Sequence, residues 1–119
     1  MTQLIEKTAQ TIEEGFQNLK DAAITDYNQF IRDNEQMQKE YAENIILEQG
    51  GSKYYKIVVG KPNAGRSVFG FIVKESDEKF KKGDLLKPAS WKSPAKNKAR
   101  GNVLTGKYPI NWTGPLYLL

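Results

Sequence analysis

At 119 residues, with 39% hydrophobic and 27% charged residues, the chain has the size of one domain with a modest core. Cysteine and histidine are both absent, which excludes disulfides, thiolate or imidazole metal sites and histidine-based catalysis. The net charge of +4 is unevenly spread: residues 1–52 carry four Lys/Arg against ten Asp/Glu, net −6, and residues 53–119 carry fourteen against four, net +10. That asymmetry points to an anionic partner for the second half, or to two halves that face each other.

From Thr2 to Leu47 there is no proline and a single glycine, Gly15. Apolar residues at Ile5, Ala9, Ile12, Phe16, Leu19, Ala23, Tyr27, Phe30, Met37, Tyr41 and Ile45 recur mostly every three or four positions, the helical period; Asn34 falls in the gap. Thr2 or Thr8 suits an N-cap and Gly50-Gly51 a C-terminal stop. One unbroken helix would reach about 65 Å, too long for a compact domain of this size, whose radius of gyration should be about 13–14 Å. Either the helix breaks near Ala23–Asp26, with Thr25 or Asp26 capping a second one, or it projects and packs on another subunit. The apolar stripe suits core or oligomer contact better than a ligand site. No apolar run approaches the roughly 20 residues of a membrane span, and the acidic, amphipathic N-terminus is unlike a signal peptide. A soluble, intracellular protein is expected.

After the glycines the period switches to two. Lys53–Val59 (KYYKIVV) reads as a strand, Gly60–Gly65 as a turn, and Arg66–Val73 (RSVFGFIV) as a second strand with Ser67, Phe69, Phe71 and Val73 on one face. Gly70 within it suggests a bulge or a close backbone approach. Lys74–Lys79 is a charged turn; a third strand is expected around Asp84–Lys87, and short strands at Asn102–Leu104 and Lys107–Ile110. The apolar end Pro115–Leu119 is suited to tie into the sheet. The predicted fold is α+β: one or two N-terminal amphipathic helices followed by an antiparallel β-sheet, in a single domain of 1–119. Within it, 1–49 is a helical oligomerisation segment, and 52–119 is a sheet with a ligand-binding loop.

That loop is Lys87–Asn102. Its sixteen residues hold four lysines, Arg100, Trp91, Pro88, Pro94 and Gly101. The prolines bar a long helix or a central strand and lower the loop's freedom before any ligand arrives. Trp91 offers a stacking face, and Lys92, Lys96, Lys98 and Arg100 offer charge, a combination suited to a ligand with a π-face and phosphates. The plain alternative is a basic surface loop whose Trp91 caps the core. Arg66 and Arg100 have the bidentate fork that grips phosphate, Gly101 allows close approach, and the Asn102 amide both donates and accepts; Arg-Gly-Asn is equally a good turn. There is no Gly-rich phosphate loop and no nucleophile elbow, and Glu75, Asp77 and Glu78 read as a solvated turn. No catalysis, cofactor or metal is expected.

The run Arg66-Ser-Val-x-x-Phe71, then Gly83-Asp-x-x-Lys-Pro-Ala-Ser-Trp-Lys-x-Pro-Ala-Lys96, then Arg100-Gly-Asn102 resembles small phage-encoded proteins that include the Thoeris anti-defence sponge family. The resemblance covers about residues 53–104, and the N-terminal helices carry none of it. It implies a non-catalytic protein that sequesters cyclic ADP-ribose-type immune signals in the host bacterial cytoplasm, with cyclic oligonucleotides held at a separate site. It also implies a homo-oligomer, a hexamer in that family. By the same resemblance Arg66 and Arg100 contact phosphate, Trp91 stacks on adenine and Asn102 is a polar contact; Lys92, Lys96 and Gly101 join the candidate ligand-binding residues from the composition of the loop. Asn97-Lys98-Ala99 differs in length from some of those proteins. Two other readings stand beside it: a single-stranded nucleic-acid binder, and a structural adaptor docking on an acidic partner.

Overall fold

The computed structural model describes residues 2–116. Two helices and antiparallel strands form an α+β fold, with the helices ahead of most of the sheet. The first helix, α1, spans Ile12–Phe30. Thr11 caps it, its Oγ1 accepting from Glu14 N at 3.1 Å, while the Glu14 carboxylate accepts from the N–H of the preceding residue, Gln10, at 2.9 Å. The cap is therefore Thr11 rather than Thr2 or Thr8. Helix α1 does not break at Ala23–Asp26. Both residues are buried, and the Asp26 carboxylate accepts from Trp112 N at 2.8 Å, which ties this turn into the body of the protein.

The break comes at Ile31–Asn34, where Asp33 takes φ 56° and Asn34 caps the second helix, α2 (Glu35–Glu43), by accepting from Met37 N. The 1–49 segment is also not helical throughout. Its ends are strands: β1 (Gln3–Ile5) and β2 (Ile45–Glu48). Gly50-Gly51 accordingly belongs to a turn between strands and not to a helix stop. At Gly50, φ is 61° and an added Cβ would lie 2.3 Å from the Tyr54 carbonyl oxygen, so only glycine fits.

Strand β2 pairs with β3 (Tyr54–Val59), β3 with β4 (Ser67–Val73), β4 with β5 (Asp84–Leu86) and β5 with β6 (Gly101–Asn102), giving a five-stranded antiparallel sheet. Strand β1 pairs with β7 (Tyr108–Asn111), and β7 with β8 (Gly114–Pro115), in a smaller sheet. Residues Tyr117–Leu119 of the expected C-terminal tie lie outside the described residues. In β4 the register shifts so that Ile57 faces Gly70 and Val58 faces Val68, leaving Phe69 as the extra residue. The bulge turns Phe69 to the face opposite Phe71 and Val73, which corrects the expectation of a single alternating face. One side, with Phe69 and Ile72, joins Ile12, Phe16, Leu19 and Ala23 of α1 in the main core; the other, with Phe71 and Val73, packs with Phe80 and Leu86 in a second cluster. The radius of gyration is 13.6 Å, that of a compact domain.

Candidate ligand-binding site

The loop between β5 and β6 is a folded-back excursion. Ala95 N donates to Lys87 O at 2.7 Å, Pro88 and Pro94 bridge, and Ala89 N and Ser90 N both donate to Ser93 O. At its tip the Ser90 hydroxyl oxygen accepts from Lys92 N and Ser93 N, so a serine turn presents Trp91. Prolines cannot donate, and here they sit where the excursion needs no further donor. Trp91 remains 45% exposed, so it does not cap the core.

What Trp91 meets is a lysine from the sheet. Lys56 Nζ lies 3.6 Å from the centre of the Trp91 ring. On β3, Tyr54 and Lys56 point to the face of the second cluster, and Tyr54 packs edge-on to Phe71 with ring centres 6.2 Å apart. Together with Gly50, Gly51, Ser52, Lys53 and Lys92 these side chains line a pocket of about 310 Å³. Three lysines thus line one pocket with two aromatic residues, Tyr54 and Phe71. Partial burial lowers the Lys56 pKa, Glu48 works the other way, and the positive charges of Arg66 and Lys92 lower it further. Lys96 is exposed and acts on Asp77. The Asp77 carboxyl is held below its ordinary range first by the Phe80 and Lys79 N–H groups and then by Lys53 and Lys96.

The sequence-predicted residues divide into two groups. Lys92 lines the pocket and Trp91 meets it through Lys56, whereas Lys96 does not line it. Arg66 borders it through its influence on Lys56, but its guanidinium is already bound to the Glu48 carboxylate at 2.7 Å. Arg100, Gly101 and Asn102 do not line the pocket. Arg100 is 3% exposed, with its N–H on Leu85 O. A Cβ on Gly101 would lie 2.3 Å from Tyr108 Cβ, so this glycine serves close packing of β6 on β7. The Asn102 amide donates to Lys82 O and Asp84 Oδ1, and its oxygen accepts from Leu104 N and Thr105 N. That saturates both of its donors, so its role in this structure is to hold a turn.

The residues missed by sequence reasoning are Lys53, Tyr54 and Lys56. The available signal was Tyr54 and Lys56, two apart on one face of a predicted strand, with Lys53 just ahead of it. On an ordinary sheet, such a lysine simply faces water.

No curated protein and no solved structure matches the chain. One family model does, over residues 1–118, nearly the full length: the chain belongs to DUF7717, a family of unknown function.

Proposed function

We propose that this protein binds a nucleotide-class ligand without transforming it, through the pocket of Lys53, Lys56 and Lys92 beside Trp91. The observation that carries the reading is that Lys53, Lys56 and Lys92 line one pocket of about 310 Å³ with Tyr54 and Phe71, while the Lys56 ammonium also lies over the exposed Trp91 ring. Ammonium groups neutralise phosphate as point charges, and an exposed indole offers a base its π-face at about 1–3 kcal/mol per stacked base. Neither demands a defined nucleophile or a proton acceptor, which agrees with a chain lacking histidine and cysteine.

The sequence resemblance supplies the biological form of this reading: sequestration of a cyclic ADP-ribose-type signal in a bacterial host. Sequestration requires a nanomolar Kd or tighter, about −12 kcal/mol. One stacked base and a phosphate do not reach that, so the proposal includes a homo-oligomer in which a second copy encloses the ligand.

The test is calorimetric titration with a glycocyclic ADP-ribose, and with a single-stranded oligonucleotide as comparison, at low and physiological salt. Tight binding of the small molecule that changes little with salt supports the proposal. Silence with the small molecule, together with salt-sensitive binding of the oligonucleotide, overturns it and makes the basic face a nucleic-acid surface.

A further inference from the structure

Lys56 joins the pocket to Trp91: the residue lines the pocket, and its ammonium covers one face of the indole, 3.6 Å from the ring centre. A base can stack on that face only after the ammonium leaves it. Leaving costs Lys56 its cation–π partner in a partly desolvated place, next to the positive charges of Arg66 and Lys92. A phosphate supplied by the same ligand removes that cost, since it gives the displaced ammonium a stronger, charge-assisted partner.

Resting on the nucleotide-binding reading above, we infer that Lys56 makes base stacking on Trp91 conditional on phosphate. The ligand class is then a nucleoside di- or oligophosphate, with nucleosides and free bases rejected. Lys56 exchanges the indole for the phosphate as the base takes its place. Lys53 and Lys92, from the strand start and the loop tip, take the remaining charge. The two contacts are therefore coupled through one side chain rather than additive. Recognition of a base alone is disfavoured because the protein's own cation competes for the ring. Recognition of phosphate alone forgoes the stacking.

The experiment compares adenosine with ADP-ribose on the wild-type chain and on the Lys56→Ala and Lys56→Met variants, by calorimetry. In the wild type, ADP-ribose should bind at least about thirtyfold more tightly than adenosine, the factor expected of charge-assisted hydrogen bonds. Lys56→Ala uncovers the ring and should bring adenosine binding up while weakening ADP-ribose, so that the ratio falls to about fivefold or less. Lys56→Met keeps the ring covered without charge and should weaken both ligands.

If Lys56→Ala weakens the two ligands by the same factor, the coupling is refuted while the nucleotide site survives. If no variant binds ADP-ribose, the site itself is refuted. Independently of any ligand, the Lys56 Cε protons should show an upfield ring-current shift by NMR that vanishes in Trp91→Ala. An ordinary shift in the wild type would also overturn the inference.

Discussion

Gly15 is where the packing of α1 can be tested most sharply. A Cβ added there would lie 2.5 Å from the Val103 carbonyl oxygen and 2.8 Å from both Val103 Cβ and Cγ2. Carbon pairs are comfortable at about 3.5–4.0 Å, so Gly15→Ala forces α1 away from Val103 by about 1 Å. Neither neighbour can yield easily: one is backbone, and the other is a β-branched side chain with a stiff χ1 that is 1% exposed. Overpacking of this kind costs about 1–3 kcal/mol, and a rigid neighbour puts it near the upper end. Against it stands the helix propensity of alanine over glycine, about 1 kcal/mol in the opposite direction. The net expectation is a loss of about 2 kcal/mol, or about 8 °C in Tm for a chain of this size. Thermal and urea melts followed by far-UV circular dichroism measure it. Val103→Ala in the same background should recover part of the loss, because the two sites touch. A rise in Tm for Gly15→Ala would mean that propensity wins and that α1 does not press on Val103 as described.

Three further outcomes are expected. Trp91→Ala should weaken ADP-ribose binding at least about tenfold, with the circular dichroism spectrum and Tm unchanged because the ring is 45% exposed; a melting loss matching the binding loss would make Trp91 a core residue. Asn102→Ala removes four hydrogen bonds, to Lys82 O, Asp84, Leu104 N and Thr105 N. It should lower stability by about 2 kcal/mol in urea melts, whereas an unchanged midpoint with lost ligand binding would return Asn102 to the binding site. The Asp77 carboxyl has its pKa depressed in the folded state from the ordinary 3.8, so its contribution is present above that pH and is lost as pH falls below it. Asp77→Asn should therefore flatten the decline of Tm below about pH 4, and an unaltered acid limb would show that those backbone hydrogen bonds do not act on stability.

The helical and extended periods were legible in the sequence because α1, β3 and β4 are long enough to show a period. Strands β1 and β2 were not. Ile5 and Ile45 fit the helical spacing of their neighbours, and three or four residues cannot establish alternation against it; what makes them strands is pairing, of β1 with β7 near the other end of the chain and of β2 with β3 across the next turn. The bulge at Phe69 was visible only as Gly70, without its consequence for the faces. At the site, the loop composition picked out Trp91 and Lys92. Lys56 stayed hidden because its meeting with Trp91 depends on the fold-back of the loop, fixed by Lys87–Ala95 pairing, which no local pattern encodes. Arg100-Gly-Asn102 illustrates the converse: donors and a flexible backbone that suit a ligand equally suit a tight turn on β6, and here they build the turn.

The charge asymmetry bears on which anion fits. Glu40 with Lys61 and Glu48 with Arg66 form ion pairs between the acidic and basic halves, and both lie partly exposed, so each adds little to stability. They nonetheless sort the cations: Arg66, shaped for a bidentate grip, is held by a carboxylate of the protein, while Lys53, Lys56 and Lys92 line a pocket with aromatic walls. Bringing like charges together opposes folding, and Lys56 is compensated here by the Trp91 ring and by Glu48. A polymer that neutralised only these three amines would release about two counterions. Its affinity would fall by about twentyfold between 50 and 200 mM salt, and more steeply if it tracked the whole basic half. A compact ligand enclosed among the same amines has no condensed counterions to release. Salt dependence, more than affinity, therefore separates a pocket from a track on this surface.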